Sequence, residues 1–145
     1  MINLRVDEGL TLPLPVKLLK KAALETVRYE GALVEADLTI VVSSDETLRQ
    51  LNLEFMGVDA PTDVLSFPAD FVDPDTQRRY LGDVVISLPR AQAQAPENRQ
   101  SVQDELLLLA VHGILHLLGH DHREPEEKER MWAAQSDVLS HLPRA

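Results

Sequence analysis

Four of the five histidines fall between positions 112 and 122, in the run His112-Gly-Ile-Leu-His116-Leu-Leu-Gly119-His120-Asp121-His122. Residues four apart on a helix share a face, so His112 and His116 present neighbouring imidazoles. Two ring nitrogens so placed can meet one metal ion at about 2.0–2.1 Å. Gly119 follows three residues later and can take the left-handed conformation that ends a helix. The chain then turns back, and His122 can supply a third nitrogen. Three protein nitrogens leave one tetrahedral position open, the arrangement of a catalytic zinc site. Packing explains such a set poorly, because buried imidazoles need partners. His120 is the rival third ligand, but it comes one residue past Gly119, before the chain has turned. His141 stands alone on the last helix and reads as a partly exposed side chain.

The spacing H-x-x-x-H-x-x-G-x-x-H is also that of metzincin proteases, in which glutamate follows the first histidine and acts as general base. Here that position is Gly113, which has no side chain to take a proton. The peptidase mechanism therefore lacks its base. A metal held by the three histidines would still lower the pKa of bound water towards ~7 or polarise a phosphoryl oxygen. Thr62 and Asp63 either line the cleft near the metal or cap the loop before a strand. Asp83 is expected to fix a strand turn. Asp104 and Glu105 fall in the first turn of a helix, where the macrodipole favours them. Asp121 either orients a ligand imidazole or caps the turn, and Trp132 reads as core. No general base is assigned.

These groups need elements to hold them. Ile2–Val6 alternates as a half-buried strand does. Pro13 and Pro15 precede a helix from Val16 to about Tyr29, ended by Gly31. Leu38–Val42 is a β-branched strand, and Ser43 with Glu46 makes a capping box for a helix from Asp45 to Asn52. Val64–Phe67 reads as a strand stopped at Pro68, residues 70–80 as a loop or hairpin connection, and Leu81–Leu88 as a further strand. After a short helical stretch at Ala91–Ala95, Val102–Leu118 is apolar nearly all round and predicts a central buried helix. Pro125 opens a last helix in which Met131, Gln135, Val138 and Leu142 recur at a helical period. The order predicts an α+β fold: one domain over residues 1–145, a small mixed sheet packed on helices, and a central metal-binding helix.

With 145 residues, 44% hydrophobic and 26% charged, the chain is in the globular range. It has no cysteine, which excludes disulfides, cysteine-held clusters and thiol nucleophiles. No apolar run approaches the roughly 20 residues of a membrane span, and the N-terminus lacks the order of a signal peptide. A cytoplasmic protein is the expectation. The net charge of −10 repels polyanions at long range, so any polyanion site must use the basic first helix or local groups such as Arg78, Arg79 and Arg90.

The histidine run resembles the signature of the YbeY family, bacterial endoribonucleases of ribosomal RNA maturation, whose pattern is H-G-x-L-H-L-x-G-[YH]-D-H. Pro61-Thr-Asp-Val-Leu-Ser-Phe-Pro68, Leu81-Gly-Asp-Val-Val-Ile86 and Met131-Trp132 agree, so the resemblance spans residues 41 to 135. It implies a zincin-like fold and one zinc ion on His112, His116 and His122. The implied activity is single-strand-specific endoribonuclease action in 16S rRNA 3′ end processing and ribosome quality control. The implied partners are ribosomal RNA and the small ribosomal subunit, with no membrane and no DNA. One position departs: the family usually has arginine, thought to meet RNA phosphate, where this chain has Met56. A thioether cannot replace a guanidinium there. The alternative reading is a non-catalytic, zinc-containing ribosome-assembly factor.

Overall fold

Apolar β-branched segments build one four-stranded sheet in the computed structural model, which describes residues 1–31 and 36–143. The strands are β1 (Ile2–Val6), β2 (Ala36–Ser43), β3 (Val64–Val72) and β4 (Arg79–Ser87), in the order β1-β2-β4-β3. β1 pairs parallel to β2, β2 parallel to β4, and β3 antiparallel to β4. The sheet is therefore mixed. The helices are α1 (Val16–Tyr29), α2 (Asp45–Met56), α3 (Leu88–Glu97), α4 (Val102–Leu117) and α5 (Pro125–Ser140). This is the α+β arrangement that the element order implies.

Side-chain alternation sorts the two faces of the sheet. Leu38, Ile40 and Val42 of β2 and Val84 and Ile86 of β4 are fully buried in the main core with α1, α4 and α5. Val41 and Val85 point the other way, into a smaller cluster under Leu48 of α2. α4 runs through the main core. Its Leu106, Leu107, Ala110, Val111, Ile114 and Leu115 have no exposed surface. Burying a side chain such as leucine contributes roughly 1.5–3 kcal/mol, so this helix is fixed more firmly than any surface element. Ser101 caps it, its hydroxyl accepting from Asp104 N at 3.1 Å.

Several boundaries differ from the sequence reading. The capping box moves by one residue: Ser44 is the N-cap of α2 and accepts from Thr47 N at 3.1 Å. Ser43 still belongs to β2, where it is buried and donates to Asp7. α2 continues past Asn52 to Met56. β3 is not stopped by Pro68. It is an edge strand bonded only to β4, so proline costs it no ladder hydrogen bond, and the register shifts between Pro68 and Phe71. β3 and β4 form a hairpin closed by Asp73 N to Arg78 O at 2.8 Å. Asp83 marks no turn. It lies inside β4, where its carboxylate accepts from the Tyr80 hydroxyl. Trp132 is not core: α5 turns Met131, Ala134 and Val138 inward, leaving Trp132 54% exposed with Lys128 Nζ 4.5 Å above its ring. Among the described residues no helix is long and apolar enough to cross a membrane.

Candidate metal centre

The site forms where α4 ends. The helix closes in a Schellman arrangement: Gly119 N donates to His116 O at 3.1 Å and His120 N to Leu115 O at 3.0 Å. Gly119 holds φ at +99°, which a side chain would strain. The reversal carries the chain back over the last helical turn and sets His122 against His112 and His116. The three ring centroids are 4.8–5.9 Å apart. One nitrogen from each ring lies within 4.8 Å of the others, so the cluster could bind a metal ion. Tetrahedral ligands at 2.0–2.1 Å from one ion are about 3.3 Å apart, so small side-chain rotations bring the set into range.

The chemistry of the donors fits such an ion. His112 Nδ1 is 3.0 Å from Gln135 Oε1 on α5. An amide oxygen only accepts, so Nδ1 carries the proton and Nε2 is left with its lone pair free. Burial pushes the His112 imidazole below its ordinary value; the bond to Gln135 opposes this, His122 adds to it, and Asp63 opposes it. Burial also lowers His116, as do the neighbouring His112 and His122 rings. Both rings are thereby biased towards the neutral form that ligates metals.

The other candidates take clear places. His120 turns away: its Nε2 is 2.7 Å from Glu30 Oε1, just beyond the end of α1. Asp121 caps the turn rather than orienting a ligand ring. Its Oδ1 accepts from His122 N at 2.7 Å, which holds the carboxyl below its usual range, and Oδ2 meets Arg123 Nε at 3.1 Å. Thr62 and Asp63 line the cleft, and Asp63 Oδ1 also accepts from Val64 N at 2.8 Å, so both readings of it hold. His141 is exposed and bonds only locally, its Nδ1 2.7 Å from Asp137 O. Asp104 and Glu105 are buried; Asn98 donates to both oxygens of Glu105 at 3.1 Å, a structural role.

In front of the histidines lies an open cleft of about 640 Å³, walled by the end of α2, the start of β3 and the 119–123 turn. Met56, the last residue of α2, is on this wall and 54% exposed. Arg123 is the one Lys or Arg among the described residues lining it. Ser66 on β3 donates to Gly113 O at 2.8 Å and ties the strand to the ligand-bearing helix. Sequence reasoning missed Gln135, Ser66 and Arg123. For Gln135 a signal existed: it is a polar residue on an otherwise apolar stripe. For the other two, only the fold brings them near.

Fold and site together define an α+β protein with a three-histidine, metal-type centre at the end of its buried central helix. The family described as Endoribonuclease YbeY matches residues 11–143. A Pelotomaculum thermopropionicum protein named Endoribonuclease YbeY is 45% identical over 94% of this chain and 89% of its own length. A Chloroflexus aurantiacus protein of the same name is 42% identical over 97% of this chain and 94% of its own. A Thermotoga maritima protein solved in solution superposes with a TM-score of 0.64 at 30% identity, covering 97% of this chain and 87% of that one. The chain belongs to the endoribonuclease YbeY family.

Proposed function

We propose that this protein is a zinc-dependent endoribonuclease that cuts single-stranded RNA, acting in the cytoplasm on the small ribosomal subunit during 16S rRNA 3′ maturation and ribosome quality control. The observation that carries the catalytic part is the convergence of His112, His116 and His122 on one point that opens to a cleft. His112 Nε2, His116 and His122 would be the protein ligands. Zinc held there would supply Lewis acidity towards a phosphoryl oxygen and lower the pKa of water.

The chain's own groups have definable tasks. Gln135 fixes the His112 ring and its tautomer. The open cleft admits a flexible strand rather than enclosing a small ligand. Arg123 offers a guanidinium to phosphate, shared with Asp121. The peptidase reading has no support, because Gly113 supplies no base and its site is filled by Val84, Ser66 and Val64.

The test is metal content and cleavage of a single-stranded RNA measured on one preparation, beside His116→Ala. Zinc near one equivalent with chelator-sensitive cleavage, both lost in the variant, is expected. Alanine favours the helix, so its fold should persist. Zinc bound without cleavage would leave the assembly-factor reading. Chelator-sensitive cleavage of an unstructured protein, lost in His116→Ala, would mean a different reaction class.

A further inference from the structure

Helix α1 carries four of the chain's 14 basic residues, Lys17, Lys20, Lys21 and Arg28, against one acid, Glu25, while the whole chain has net charge −10. An ordinary solvated helix face in so acidic a protein would mix both signs. All four basic side chains are exposed. Lys17, Lys20 and Lys21 have no hydrogen bond or ion pair among the described residues, and Arg28 has only Glu25 at 3.7 Å. They rim a shallow groove of about 540 Å³ whose floor is half-buried Ile2 of β1 and Leu24.

We infer that this groove is a second binding surface for single-stranded RNA, remote from the metal centre, that holds the backbone of the strand. The inference rests on the endoribonuclease reading. Its charge fits a single strand: the cations along the rim take the phosphates, and the aliphatic floor offers van der Waals contact without a stacking ring. At 1.5 Å per residue, Lys17 to Arg28 spans about 16 Å, room for several phosphates. A lipid surface is the poorer fit, because Met1 is the one strongly exposed apolar side chain lining the groove, while Ile2 and Leu24 are half-buried.

The experiment uses the full chain with Lys17→Gln, Lys20→Gln and Lys21→Gln combined, beside the wild type. Binding of a fluorescent oligouridylate of about 20 nucleotides is followed at several salt concentrations with the metal chelated, and wild-type cleavage is assayed separately with zinc. Removing three phosphate contacts should lower the log–log salt slope by about 2 and weaken binding at low salt roughly tenfold. Metal content should be unchanged, which shows that the variant is folded. Cleavage by the wild type with an unchanged slope in the variant overturns the groove and leaves the nuclease reading standing. A reduced slope without wild-type cleavage does the reverse. No RNA binding by the chelated wild type overturns the groove, and absence of cleavage with zinc as well overturns both. Loss of binding to phosphatidylglycerol vesicles, with the RNA slope unmoved, would overturn RNA in favour of lipid.

Discussion

Gln135 touches a ligand ring directly, whereas Met56 lies on the wall of the cleft. Gln135 accepts the Nδ1 proton of His112 and so presents Nε2 to a metal. Removing such a partner typically costs 10–100-fold in metal affinity. Gln135→Leu is expected to weaken zinc binding by about that factor, and Gln135→Glu, which keeps an acceptor, to restore most of it. Competition with a chromophoric chelator measures both, and equal affinity in all three proteins would show that the contact does not orient the ring. Met56 is exposed on the cleft wall and offers no charge. Met56→Arg should raise RNA affinity and steepen the salt dependence by about 0.7 in slope, one single-strand phosphate contact, with metal content unchanged. An unchanged slope would mean that residue 56 does not face RNA.

Gly113 shows how elements set the site. A β-carbon there would lie 2.5 Å from Val84 Cγ1 and 3.2 Å from both Ser66 Oγ and Val64 Cγ2. α4 thus rests directly on β3 and β4, and that contact fixes the height of His112 and His116 above the cleft. Val84 is β-branched and fully buried, so it has little freedom to yield. Gly113→Ala should destabilise by about 1–3 kcal/mol through overpacking, outweighing a gain of up to ~1 kcal/mol in helix propensity. Urea unfolding of Gly113→Ala, Val84→Ala and the pair tests this. The double variant should recover stability beyond additivity, and strict additivity would mean no contact. The central helix was legible because its residues are apolar on every side, and the His112–His116–Gly119–His122 spacing because helix geometry converts it directly into proximity. What could not be read depends on neighbours. Pro68 looks like a stop until β3 is known to be an edge, Ser43 looks like a cap until β2 is known to include it, and Gln135 looks like a core position until His112 is seen opposite.

Across the whole molecule the half-buried imidazoles and the acidic surface make stability depend on pH in two separate windows. Burial lowers His112 and His116 from the ordinary 6.5. Below 6.5 the unfolded chain therefore binds protons that the folded chain refuses, and stability falls as pH drops through the lowered values. Asp37 is lowered from 3.8, chiefly by the Arg78 hydrogen bond, so its contribution is present above 3.8 and lost only further into acid. An opposing effect is general: protonation reduces a net charge of −10 and relieves self-repulsion. Comparing His116→Ala with the wild type separates the two, since the charge background is shared. With chelator present, wild-type stability by urea unfolding should decline between about pH 7 and pH 5, and the decline should be smaller in His116→Ala. With excess zinc the wild-type decline should steepen, because zinc binds only the folded, neutral histidines and its stabilisation of RT ln(1 + [Zn]/Kd) is lost as they protonate. A chelated wild type whose stability is flat over that range, or a zinc-dependent slope equally present in His116→Ala, would show that His112 and His116 are not linked to folding.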